Sequence, residues 1–244
     1  MLQPGLAASA GAGMSQDLFD GPLREFAGSV LSDEVGPTLG LSELLRDESL
    51  DRLLLRVYGA ELFASQKPVL VSQWSKYVFM QLIPPVLVAS LVHGVGWPLG
   101  LDRLRFALDE RGLLDGVRFD GEPVAVTDSP DPFQRFAALL DCLQQVVERL
   151  SAHGSVAPGV LWGNAGDYLE TCLRRLSEVS DVPLAAGYGL LQQRSKPDGR
   201  RNPLFNAVLY IEGADGRRVR QRRSCCLSHR VEWVGRCEHC PLEG

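Results

Sequence analysis

The stretch Asp131–Gly154, DPFQRFAALLDCLQQVVERLSAHG, decides how this chain folds. Asp131 offers a capping carboxylate, and Pro132 stands at the first helical position, where a missing N–H costs nothing. Phe136, Leu139, Leu140, Leu143, Val146, Val147 and Leu150 then recur at spacings of three and four, which is one apolar stripe along one helix. Gly154 is placed to end it. Cys142 lies near the stripe and reads as a small apolar core residue.

Working outward, the same period returns on both sides. Asn164 is expected to cap a second helix running to about Ser177, with Tyr168, Leu169, Cys172 and Leu176 on its buried face. Upstream, Leu41–Tyr58 carries Leu44, Leu45, Leu50, Leu53, Leu54 and Val57 near helical spacing and reads as one amphipathic helix. Between them, Val78–Val95 (VFMQLIPPVLVASLVHGV) is the most apolar window, near the ~20 residues that a membrane span needs. Pro84-Pro85 in its middle predicts two buried segments instead. Val117–Thr127 (VRFDGEPVAVT) suggests a hairpin turning at Asp120-Gly121.

After Val182 the texture changes. Pro183, Gly187, Gly189, Pro197, Gly199 and Pro203 punctuate a loop-rich stretch; Leu204–Ile211 (LFNAVLYI) then reads as a strand, and Arg217–Arg223 (RRVRQRR) as its returning partner across the EGADG turn. Helices with a few antiparallel strands outside any regular alternation predict an α+β fold, mainly helical, with a short C-terminal metal-cluster segment. The expected organisation is a flexible leader over residues 1–16, a helical or mixed substrate-binding body over 17–193, and a basic hairpin with the cluster segment over 194–244. The leader lacks a charged n-region and a continuous apolar run, so the cytoplasm is the expected compartment, with peripheral association at the inner face of a membrane left open.

Composition narrows the function classes. Across 244 residues, 45% are hydrophobic and 23% charged, an ordinary globular balance, and the net charge of −5 argues against nucleic-acid binding. That charge is unevenly spread. Residues 194–223 hold nine Lys and Arg against three Asp and Glu, a surplus of six positive charges in an otherwise acidic chain. The strip leads straight into the cysteines. Four of the six cysteines fall in the last 20 residues, too few for a disulfide scaffold but close enough together to bind a metal.

The tail SCCLSHRVEWVGRCEHCPLEG pairs Cys225-Cys226 with Cys237-x2-Cys240 across ten intervening residues. Four thiolates suit Zn(II) or an iron–sulfur cluster. The adjacent pair is unusual for zinc, whose structural ligands normally stand two to four residues apart, and a dinuclear cluster accommodates it more readily. On the residues alone, iron–sulfur, structural zinc, and disulfides or free thiols all remain open. His229 and His239 are expected beside the ligand set rather than in it. Trp233, between the two pairs, is placed to shield a cluster from water.

The pattern Cys-Cys-x10-Cys-x2-Cys, in Arg222-Arg223-Ser224-Cys225-Cys226-Leu227 and Cys237-Glu238-His239-Cys240-Pro241-Leu242, resembles the [2Fe-2S] motif of the FhuF-like ferric siderophore reductases. Leu161-Trp162-Gly163-Asn164 and Arg201-Asn202-Pro203-Leu204 resemble the same family, so the likeness covers residues 161–244. Ser228-His229-Arg230 departs from it, standing where a more apolar or aromatic segment is expected. The resemblance implies a [2Fe-2S] cluster held by Cys225, Cys226, Cys237 and Cys240. It also implies one-electron reduction of a cytoplasmic ferric siderophore of hydroxamate or catecholate type, releasing Fe(II). Trp162 and Asn164 would then line the pocket, and Arg194, Lys196, Arg200 and Arg201 would contact the substrate. Arg217, Arg218, Arg220, Arg222 and Arg223 would offset the cluster's negative charge or attract anionic complexes.

No Walker loop, dinucleotide fingerprint, Gly-x-Ser-x-Gly or His-Glu-x-x-His motif is found, so electrons are expected from an external donor, a small reductant or a redox protein. The competing readings are a non-catalytic binding protein with a structural zinc site, and an iron–sulfur carrier or sensor.

Overall fold

The structure, a computed structural model, describes residues 18–27, 30–31, 36–127, 129–213 and 216–242. The leader assigned to residues 1–16 lies outside them. Eight helices are described: α1 (Arg24–Ala27), α2 (Leu41–Leu44), α3 (Asp47–Tyr58), α4 (Ala60–His93), α5 (Pro132–Arg135), α6 (Ala137–Gly154), α7 (Pro158–Val179) and α8 (Ala185–Gln192). Seven short strands accompany them: β1 (Leu39–Gly40), β2 (Val95–Gly96), β3 (Leu104–Leu108), β4 (Leu114–Phe119), β5 (Val124–Ala125), β6 (Val208–Glu212) and β7 (Arg218–Arg222). The α+β expectation holds, with every sheet antiparallel.

The 34-residue α4 is the axis of the molecule, packed by α3, α6 and α7. Trp74, Phe79, Leu82, Ile83 and Leu87 are fully buried along it. Pro84-Pro85 does not divide it as expected. Proline removes two donors to the preceding turn, but burial on almost every side outweighs a local break. The helix bends instead at Gln66, whose φ of −133° is non-helical, just before Pro68. Among the described residues it is the one helix long and apolar enough to cross a membrane, and 72% of its most apolar window is buried inside the fold.

The segment 41–58 is two helices, not one. Arg46 is extended and its carbonyl accepts from Ser49 and Leu50, while Asp47 and Glu48 in the first turn of α3 favour a fresh helix start. The 117–127 hairpin is also corrected. β4 pairs back with β3 (Leu104↔Phe119, Phe106↔Val117), and β5 pairs with β2 (Val95↔Ala125). Gly121, at φ +134°, turns the chain, yet Val117 is buried and Val124 exposed, so the two runs serve different sheets.

The opening stretch behaves as its pattern dictates, with one interruption. The Asp131 carboxylate accepts from the Phe133 amide at 3.0 Å, and Phe136 breaks the run into α5 and α6. Gly154 is the last residue of α6, but its role is closeness: a Cβ there would sit 2.7 Å from Val71 on α4. Ser155, at φ +47°, takes the left-handed turn instead. The next helix starts at Pro158, six residues before the expected Asn164 cap, because Ala157-Pro158 already supplies an N-terminus. Asn164 is therefore an interior position of α7.

Candidate functional site

The C-terminal segment is seated on one face of α7 that has almost no side chains. A Cβ on Gly163 would fall 1.9 Å from Ser224 Oγ, and one on Gly166 would fall 2.2 Å from the Ala207 Cβ. These two glycines let the hairpin of β6 and β7 (Val208↔Arg222 to Glu212↔Arg218) and the chain after it approach the helix backbone.

A buried polar network locks that contact. The Asn164 amide donates to Ser72 O at 2.9 Å and to Ser75 Oγ at 2.9 Å, both on α4, while its oxygen accepts from Arg222. Ser72 Oγ and Gln73 Nε2 each donate to Cys226 O at 2.9 Å. Arg222, only 2% exposed, also donates to Asp167 at 3.1 Å; Arg220 donates to Glu170 at 2.6 Å and pairs with Asp167 at 2.8 Å. Asn164 was expected to line a pocket. It is buried instead, and it connects α4, α7 and β7.

Around Cys225-Cys226 the chain bends sharply, with Leu227 left-handed at φ +66°. The backbone of the second pair folds back, Arg222 N donating to His239 O at 2.9 Å and Cys240 N to Cys237 O at 3.1 Å. The hydrogen bond from the Cys237 thiol holds the Cys226 thiol low and raises Cys237. Cys225 Sγ instead accepts from the Leu227 amide at 3.3 Å and stands 3.5 Å from His229 Nδ1. Among the described residues, no three potential ligands converge on one point. The donor set nonetheless fits a four-thiolate cluster. All four thiols are free, their backbone is tied to α4 and β7, and the charge of Arg222, whose buried Nε has no partner, is felt at Cys237. Cys142 and Cys172 stand apart in the core, where burial pushes both thiols up to about 12.

Beside Cys225 opens a cleft of about 730 Å³, lined by Pro158, Trp162, Arg201, Phe205, Arg223 and Leu227 among others. A smaller hollow of about 290 Å³ adjoins it through Arg201, Phe205 and Arg223, and adds Arg194. Of the expected substrate contacts, Trp162, Arg194 and Arg201 are thus brought together. Lys196 and Arg200 are outside both linings; Arg200 pairs with Asp198 in an exposed turn. Asn202 explains the Arg201-Asn202-Pro203-Leu204 motif. It is 1% exposed, donates to Leu190 O and Gln193 O, and accepts from the Leu204 amide, while its own amide holds Arg194 O at 3.0 Å. It anchors the loop that carries Arg194 and Arg201.

Trp233 is corrected as well. It is 62% exposed and stacks on Tyr58 at 6.1 Å, so it packs outward rather than roofing the cysteines. The sequence reading overlooked Phe205 as a wall and Gly166 as a seat. The signal available was Gly163-x2-Gly166, two small residues on one helical face.

Comparison with known proteins agrees with this geometry. The family model described as ferric iron reductase FhuF-like transporter matches residues 72–218, and the FhuF 2Fe-2S C-terminal domain matches residues 222–242. No protein of curated function matches the chain. Among solved structures, aerobactin synthetase IucC from a hypervirulent pathotype of Klebsiella pneumoniae shares the fold, with a TM-score of 0.55 at 13% identity over 81% of this chain. The alignment spans 47% of that synthetase, about half its length. The 2Fe-2S domain match spans the segment that carries all four C-terminal cysteines and gives the cofactor type as an iron–sulfur cluster, and with most of the body matched too, the chain belongs to the ferric iron reductase FhuF-like family.

Proposed function

We propose that this protein reduces ferric siderophores by one electron in the cytoplasm, with the chelate bound in the cleft beside Cys225. The observation that carries this reading is that shared wall: Cys225 lines a cavity of about 730 Å³ together with Trp162, Arg201 and Arg223. The volume suits a small-molecule ligand of siderophore size.

Cys225, Cys226, Cys237 and Cys240 are the residues that would hold a [2Fe-2S] cluster, which supplies one electron at a time. The rest is the work of this chain's own side chains. Ser72 and Gln73 fix the Cys226 carbonyl, and Asn164 fixes Arg222, so the thiol-bearing segment is held rigidly against α4 and α7. Arg222 presents a buried positive charge to the thiols and favours added negative charge there. Trp162 and Phe205 wall the cleft, and Arg201 and Arg223 draw the chelate in. Chelated Fe(III), a hard ion held by hard oxygen ligands, gains one electron to become Fe(II), and its lower charge density loosens those ligands. The electron is replaced by an external small reductant or redox protein.

The test is an anaerobic preparation with metal analysis, then mixing with ferric chelates. The reading expects a red-brown protein with about two iron atoms per chain, bleached by dithionite and reoxidised by a ferric siderophore. Cys237→Ser and Cys240→Ser should abolish the visible spectrum, while Cys142→Ala and Cys172→Ala keep it. A colourless protein with one zinc would sink the reading, and a coloured one that no ferric chelate reoxidises would make it a carrier or sensor.

A further inference from the structure

We infer that the cleft selects ferric chelates of net negative charge, and that Arg194, Arg201, Arg223 and the N-terminus of α7 are the selecting groups. The inference rests on the reading of the cleft as the chelate site and adds the substrate class, which neither the four cysteines nor the fold supplies.

Three observations carry it. The two neighbouring hollows share Arg201, Phe205 and Arg223 as lining, and the smaller adds Arg194, so arginines are the charged residues of both walls. No Asp or Glu is among the described residues lining either hollow. Asp198, in the same loop, pairs with Arg200, and Asp167 and Glu170 of α7 pair with Arg220 and Arg222 of β7. Second, Ala157, Pro158, Gly159 and Val160 line the larger hollow, which sets the first turn of the 22-residue α7 at its wall. The positive end of that helix dipole adds to the same sign. Third, the arginines are held in place by backbone. Asn202 N donates to Arg194 O at 3.0 Å, Ser195 and Arg201 form a β-bridge, and Arg223 Nη1 donates to Phe205 O at 3.1 Å.

A positively lined cleft discriminates by charge. An uncharged or cationic complex of the same size gains the contacts with Trp162 and Phe205 but nothing from three guanidiniums. A cationic one is repelled. An anionic complex gains on both counts, and the gain falls with salt, since the screening length is about 10 Å at 0.1 M.

The experiment measures binding of redox-inert Ga(III) complexes to the oxidised holoprotein, so that differences in reduction potential do not enter. Three probes are compared: a Ga(III) tris-catecholate, a Ga(III) linear trihydroxamate with a free terminal amine, and the same trihydroxamate succinylated at that amine. The last two differ in charge but share one metal-binding core. The expected order is tris-catecholate tightest and the free amine weakest. The succinylated complex should bind on the order of tenfold tighter than its amine parent at low salt, a gap that narrows at 0.5 M salt. Arg201→Ala and Arg223→Ala should each shrink that gap, whereas Arg103→Ala, the same charge change at an exposed arginine outside both linings, should leave it intact.

Equal affinity for the matched pair, or a gap that ignores both salt and the cleft arginines, overturns the charge selection. Reoxidation of the reduced protein by the Fe(III) forms of both trihydroxamates would at the same time leave the reductase reading standing. Failure of every complex to bind and to reoxidise the protein overturns that reading, and the selection with it.

Discussion

Residues 194–201 and the strand β7 (Arg218–Arg222) belong to one basic strip of the sequence, yet the fold gives them opposite roles. In β7, alternate residues face α7, so Arg220 and Arg222 meet Asp167 and Glu170, one and two helical turns past Gly163. Those charges are spent on structure. In the loop, Arg194, Arg200 and Arg201 stay exposed; Arg201 lines the cleft, and Arg194 lines the smaller hollow beside it. Charge density along a sequence therefore marks two kinds of site, and only the partner element tells them apart. An acidic helix face makes the strand structural, and without one the loop arginines stay at the surface.

The sharpest way to break the comparison is Arg222→Ala. It leaves the Asn164 oxygen without its partner inside the protein and takes from the Asp167 carboxylate one of its two arginines, Arg220 remaining, so the loss should lie toward the lower end of the about 3–5 kcal/mol that breaking a buried ion pair costs. Urea unfolding of the holoprotein should show the midpoint falling steeply, with cluster absorbance lost in the same transition. A midpoint close to wild type would mean that Arg222 is no more structural than the loop arginines.

Gly166→Ala tests the seat beneath the strand. Its new methyl would meet the Ala207 Cβ at 2.2 Å, and neither side chain has a rotamer to escape through. Overpacking of this kind costs about 1–3 kcal/mol, partly offset by the roughly 1 kcal/mol that alanine gains over glycine within a helix. The informative measurement is the double variant. Ala207→Gly should restore both the unfolding midpoint and cluster retention if close approach is the reason for the glycine, and restoration of neither would refute it.

How much of this was legible beforehand follows from the range of the interactions. The helices expected over 131–154 and from Asn164 to about Ser177 announced themselves through local period, though not the break at Phe136 or the start at Pro158, and the hairpin through β-rich runs flanking EGADG. The cysteine set stood out because its spacing is itself a sequence property, and the 2Fe-2S domain match falls on that segment. What escaped was decided by distant partners. Pro84-Pro85 reads as a break unless the burial of α4 on nearly every side is known. Asn164 looks like a cap until Ser72, Ser75 and Arg222, 92, 89 and 58 residues away, claim its amide. Val124 and Val117 flank a turn but serve different sheets because their burial differs. For the same reason Trp233, placed between the cysteine pairs, turns outward onto Tyr58.

The smallest expected effect sharpens the other half of the comparison. Arg200 bonds Asp198 through both Nε and Nη2, and its hydrogen bond holds the Asp198 carboxyl below its ordinary range. By linkage, a lowered carboxyl contributes stability above the usual carboxylate range and loses it as pH falls through the folded value. Both groups, however, face solvent fully, where salt screens the pair and side-chain entropy opposes it. The turn has its own supports besides, with Lys196 N donating to Arg200 O at 2.8 Å and Gly199 N to Lys196 O at 3.0 Å. Arg200→Ala should therefore leave the unfolding midpoint unchanged at physiological salt, at neutral pH and at pH 4 alike. A clear drop at neutral pH that persists at pH 4 and fades only as the pH falls below the ordinary carboxylate range would show that the loop, like the strand, spends its charge on structure.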